Sequence, residues 1–242
     1  MKTKPFILGV LMTLVLGGCK SAFEKKPVNS IAWIQDSTDS LARANATEIL
    51  ALYKLSDDRV AEGYYFRSSF IGDADNREVV EYRVPATSWV DADQVERVHT
   101  IKTFEANISS LIVRLNREVP QPKKHSLVYQ SICREMDALA KVDAQSHTLV
   151  INSDLQQNDD QFSFYRYRDF SLAEQDPQAA AKALLAIRPM PKVSNLKVYV
   201  INRPRTYEEQ KKFSVAVRVF ECLFQKQGAE MMVGPNISDY ER

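Results

Sequence analysis

The longest regular pattern in the chain runs over residues 92–119, where Val95, Val98, Ile101, Phe104, Ile108, Leu111, Ile112 and Leu115 recur at intervals of three and four. That spacing lines one side of an α-helix and predicts a long amphipathic helix, which Pro120 and Pro122 stop. Helical spacing returns in "LARANATEILALYK" (41–54), "SLVYQSICREMDALAKV" (126–142), "DPQAAAKALLAI" (176–187) and "TYEEQKKFSVAVRVFECLFQKQ" (206–227). Pro177 suits a first helical turn, Pro189 and Pro191 close that helix, and Gly228 suits the end of the last one. Between these stretches lie short apolar runs: "SIAWIQ" (30–35), "HTLVINSD" (147–154), "NLKVYVIN" (195–202) and "AEMMV" (229–233). "EGYYFRSSFI" (62–71) and "REVVEYRV" (77–84) are rich in aromatic and β-branched residues, and the turn-forming "GDADN" between them predicts two adjacent strands.

Strand and helix therefore alternate along the chain. Continuous rather than alternating apolar strands imply a sheet covered on both faces. The expected fold is α/β: a three-layer, doubly wound, mostly parallel central sheet with one antiparallel edge strand. No internal repeat or low-complexity linker divides residues 30–242, which are expected to form a single domain.

Composition narrows the function classes. The 242 residues carry a formal charge of +1, and Lys and Arg are scattered, with only short pairs such as Lys25-Lys26 and Lys123-Lys124. Lys211-Lys212 is a further short pair, but a basic stripe able to neutralise a phosphate backbone is missing, so nucleic acid is not the expected partner. At the N-terminus, Lys2 and Lys4 precede an apolar run over 6–16 and then "LGGC", ending at Cys19. The run is too short for a membrane-spanning helix, which needs about 20 apolar residues, but suits a secretory signal. "LGGC" resembles the bacterial lipoprotein signal. The resemblance implies that residues 1–18 are removed, that Cys19 is acylated, and that 19–29 form a short tether to an envelope membrane. Lys20 after the anchor cysteine is similar to the sorting pattern that favours the outer membrane. Cys133 and Cys222 fall in helix-like patterns and are expected to be buried free thiols, since two cysteines make no disulfide scaffold.

Candidate chemistry begins with "DSTDS" at the end of the first apolar run. Ligands of doubly wound sheets bind outside the carboxyl ends of the strands, where the strand order reverses. Asp36 ends one run and Asp154 another, and a hard divalent ion held by oxygens is the simplest neutraliser of two close carboxylates. Asp36, Thr38 and Ser40 form a D-x-[S/T]-x-S pattern that resembles the first metal loop of von Willebrand factor A (vWA) domains. Ser126, with Ser131 and Ile132 five and six residues on, resembles their second loop with serine in place of the usual threonine. Ser153-Asp154 resembles the third, with Leu155 replacing a common glycine. The resemblance spans roughly residues 30–236. It implies a degenerate adhesion site in which Asp36, Thr38, Ser40, Ser126 and Asp154 hold Mg²⁺, with Mn²⁺ as substitute, and the ion takes a carboxylate from a partner protein.

Two other readings of "DSTDS" stand beside this one. Ser37, Thr38 or Asp39 can cap a following helix, leaving an interaction module without metal. An aspartate nucleophile of phosphoryl transfer is the enzymatic alternative, but its D-x-D spacing is not met by Asp36 and Asp39. G-x-S-x-G, P-loop, G-x-G-x-x-G and H-E-x-x-H patterns are missing, and His99, His125 and His147 lack metal-ligand spacing, so no enzymatic activity is expected. "FSFYRYRDF", with Tyr165, Arg166, Tyr167 and Arg168, reads as an edge strand or covering loop that also suits a partner surface.

Overall fold

The computed structural model describes residues 27–36, 45–55, 59–72, 78–91, 93–117 and 125–239. Six strands, β1 (Val28–Asp36), β2 (Gly63–Ile71), β3 (Val80–Val84), β4 (Ser146–Asn152), β5 (Leu196–Ile201) and β6 (Glu230–Gly234), form one sheet in the order β3-β2-β1-β4-β5-β6. Five strands run parallel, and only the edge strand β3 is antiparallel to its neighbour. The helices are α1 (Ala46–Ala51), α2 (Gln94–Arg117), α3 (Val128–Leu139), α4 (Tyr167–Gln175), α5 (Pro177–Ile187) and α6 (Tyr207–Gln227).

Side-chain alternation along the strands divides the interior into two cores. Ala32, Ile34, Leu149, Ile151, Val198 and Val200 point to one face and pack under α3, α4, α5 and α6. Ile31, Trp33, Phe66, Val150, Tyr199 and Ile201 point to the other, under α1 and α2. Covering both faces is why the strands read as unbroken apolar runs. Each fully buried Leu, Ile or Phe contributes about 1.5–3 kcal/mol relative to exposure, so the two cores are the main source of stability.

Helix ends follow local chemistry. Asp93 Oδ1 accepts the backbone N–H groups of Val95 and Glu96 at 3.0 and 3.1 Å and starts α2. Asp176 caps α5 through Ala179 N–H at 2.9 Å, and Thr206 caps α6 through Glu209 N–H at 3.1 Å. Gly228 ends α6 at φ 71°, a left-handed conformation that only glycine adopts without strain. Gly63 opens β2 where space is the constraint, since a Cβ there would lie 2.8 Å from Val28 Cγ2 and 2.9 Å from Ala86 N.

Four expectations are corrected in whole or in part. The described helix within 41–54 starts only at Ala46, where Asn45 accepts the Thr47 N–H at 2.9 Å, and it gives way to a turn after Ala51. "FSFYRYRDF" is no edge strand: residues up to Arg166 are loop and α4 begins at Tyr167, burying only Asp169 and Ala173. Cys133 is buried as expected and Cys222 only half-buried, both with free thiols. The strand β1 also reaches back to Val28, two residues into the stretch assigned to the tether.

One buried ion pair reinforces the packing of β2 against α3. Arg67 on β2 donates from Nε to Glu135 Oε2 on α3 at 2.6 Å, where the Glu135 side chain is 1% exposed. The same guanidinium also bonds Glu81 on β3. Hence a single side chain fastens the antiparallel edge to a helix.

Candidate functional site

The strand order reverses between β1 and β4, which places the expected ligand crevice outside their carboxyl ends. Register aligns Gln35 with Asn152, so Asp36 and Ser153 leave the sheet side by side. Asp36 is only 3% exposed, and Ser153 Oγ donates to its Oδ2 at 2.9 Å. The same hydroxyl oxygen accepts the Leu155 N–H at 3.0 Å. One residue back, Asn152 Nδ2 donates to Gln35 Oε1 at 2.7 Å, so the two strand ends are bonded twice through side chains.

Asp154 is half-buried, and its Oδ1 accepts the Gln156 N–H at 2.9 Å, closing a tight turn. Leu155 within that turn has φ 61° and is fully buried. A residue with a Cβ thus occupies the left-handed region a glycine would favour, at a cost of roughly 1–2 kcal/mol. Burial of its side chain in the core under α3–α6 offsets this.

Ser126 lies in the neighbouring loop, before α3. Its backbone exchanges N–H···O bonds with Asn158 at 3.0 and 2.9 Å, and Leu127 N–H reaches the Gly72 carbonyl after β2 at 3.1 Å. Ser131 turns its hydroxyl back to the Leu127 carbonyl at 2.7 Å, inside its own helix. The first turn of α3 is capped from outside: Gln157 Oε1 accepts the Tyr129 N–H at 2.8 Å. Gln157 Nε2 in turn donates to Asp159 Oδ2 at 2.6 Å, while Asp159 Oδ1 accepts from Gln161 and Phe162 N–H, both at 2.7 Å.

The loop beyond is anchored by Asp169, which accepts Ser163 N–H at 3.1 Å, Arg166 Nε at 2.8 Å and Arg168 Nε at 3.0 Å. Burial pushes its carboxyl pKa up. The Ser163 N–H and the two guanidinium groups outweigh that and hold it below its ordinary value.

Of the residues expected to form the site, the structure places Asp36 at the end of β1 and Asp154 and Ser126 in connections after β4 and before α3, and it bonds Asp36 directly to Ser153. Thr38 and Ser40 lie outside the described residues, as do Cys19 and the proposed capping residues Ser37, Thr38 and Asp39. Among the described residues, no three His, Cys, Asp or Glu side chains converge as a metal-ligand group. Sequence reasoning missed Gln157, because a cap supplied from 28 residues downstream leaves no local pattern.

No protein-family model matches the chain, and no curated protein does. The architecture is nevertheless compatible with a vWA-like domain: an α/β fold with a mixed sheet, β1 central and β3 antiparallel at the edge. What the edge offers chemically is one buried carboxylate held by a neighbouring hydroxyl.

Proposed function

We propose that the chain is a bacterial lipoprotein, held in the cell envelope through acylated Cys19, whose body is a vWA-like protein-binding domain acting in protein–protein interaction or envelope assembly. The observation that carries this reading is the Asp36–Ser153 hydrogen bond at the strand-order reversal. That bond ties the end of β1 to the turn after β4 at the place where a ligand of this fold class is expected.

The donors fit a hard divalent cation in kind, because Asp36, Ser126, Ser153 and Asp154 offer only oxygen and Asp36 is a buried carboxylate hydrogen-bonded by a neutral hydroxyl. On this reading Asp36, Thr38, Ser40, Ser126 and Asp154 hold Mg²⁺, directly or through water. The bound ion supplies an open coordination position for a partner's carboxylate. The work is binding, without turnover. A second reading keeps the interaction surface and drops the ion, favoured by the convergence of fewer than three acidic, His or Cys side chains among the described residues.

Thermal unfolding with added Mg²⁺ or Mn²⁺ separates the two. A ligand that binds only the native state at 100 times its Kd stabilises it by about 2.7 kcal/mol. A rise in Tm that Asp36→Ala and Asp154→Ala both abolish is the expected result; an unchanged Tm at saturating metal selects the metal-free module.

A further inference from the structure

The opposite edge of the sheet carries features the candidate site does not use. All five parallel strands begin there, and the Pro27 carbonyl lies among them, accepting the Gly63 N–H at 2.9 Å. The β3–α2 connection returns to the same edge, because β3 runs antiparallel and ends with Val84 opposite Tyr64. Thr87 N–H, bonded to the Ala61 carbonyl at 2.9 Å, fastens it there. On this connection and the first turn of α2, Trp89, Val90 and Val95 are 37%, 55% and 82% exposed. Across the sheet, the α3–β4 and α5–β5 connections enclose a cavity of about 350 Å³ lined by Lys141, Asp143, His147 and Lys192 among others. Lys197, at the start of β5, is exposed at the same edge.

We propose that this edge is a membrane-resting face, with the bilayer surface as its occupant. The proposal rests on the lipoprotein reading for its strongest argument, which is reach. Pro27 is eight residue steps on from Cys19, and extended chain spans at most about 3.6 Å per residue, so Pro27 stays within roughly 29 Å of an acylated Cys19. The edge nearest the anchor is also the one that exposes a tryptophan and two valines. Tryptophan concentrates at the headgroup level of membranes, and lysines at that depth attract anionic lipid. Asp91, Asp93 and Glu96 lie in the same stretch and keep the contact shallow. The Asp91 carboxylate is held by Ser88 Oγ at 2.6 Å, and Asp93 is committed to the α2 cap. The valines and the indole therefore enter the headgroup layer rather than the hydrocarbon.

Fluorescence tests this, because Trp33 is fully buried in the core and only Trp89 is exposed. The full chain, purified from membranes, is reconstituted into phosphatidylcholine vesicles whose acyl chains carry bromine near the headgroup, with and without phosphatidylglycerol. The mass of its N-terminal peptide reports acylation in parallel. The expected result is loss of most Trp89 emission, with no such loss in Trp89→Phe, and a deeper loss with phosphatidylglycerol that the Lys141→Glu/Lys192→Glu variant abolishes. Unquenched Trp89 on an acylated chain overturns the membrane face and leaves the anchor standing. An unacylated Cys19 overturns the anchor, and quenching of Trp89 in the same sample then decides the face by itself: present, the face stands; absent, it falls.

Discussion

Ser153 determines how the buried Asp36 carboxylate is held. Its hydroxyl is both donor to Asp36 and acceptor from Leu155 N–H, so removing it takes one hydrogen bond from a buried carboxylate and one from a buried backbone group. Ser153→Ala is expected to destabilise the fold by about 1–3 kcal/mol in urea denaturation, with Ser153→Thr recovering part of the loss. Asp36 and Asp154 were legible as candidates because each ends an apolar run, where a strand must end, and Ser153 entered only as the residue before Asp154. The bond between Asp36 and Ser153 was not, since it requires β1 beside β4, a pairing between residues 117 apart in sequence. The positive φ of Leu155 was hidden for a different reason: a buried leucine carries no turn signal, and the core decides its conformation.

Between elements, the buried contact of Arg67 with Glu135 is the most sensitive junction. Glu135 Oε1 has no hydrogen-bond partner among the described residues, so Arg67 carries much of the compensation for that charge. Arg67→Met should cost about 3–5 kcal/mol, because an unpaired buried carboxylate remains, whereas Arg67→Met with Glu135→Leu should recover most of it. Equilibrium denaturation of both variants measures the difference. The long helix α2 was readable because six buried side chains recur at helical spacing over its 24 residues. The nine-residue α4 was not, with only Asp169 and Ala173 buried and Tyr167 88% exposed, since its aromatic residues mimic a strand.

For the molecule as a whole, acid stability follows from His147 and Asp169. His147 sits at the start of β4 with Nδ1 2.8 Å from Ser30 Oγ, and burial holds its pKa below the usual value of 6.5. The unfolded chain therefore takes up that proton first as pH falls. The stabilising contribution is fully present above about pH 6.5 and is lost toward the lower folded pKa. Asp169, also depressed, adds a loss only near and below the ordinary carboxylate range. Urea midpoints should thus fall between about pH 7.5 and 5.5 in the parent and change less in His147→Gln. The alternation of elements made the fold class readable, and the "GDADN" sequence between the runs of β2 and β3 pointed to two adjacent strands. The division into two cores needed the strand register. That register also bears on folding. The strand nearest the N-terminus is the centre of the sheet, yet Gln35 finds Asn152 only 117 residues later. At about 5–20 residues per second of synthesis, the first strand stays without its second neighbour for roughly 6–23 seconds. A cell making this protein must keep its most central strand from pairing elsewhere until nearly two-thirds of the chain exists.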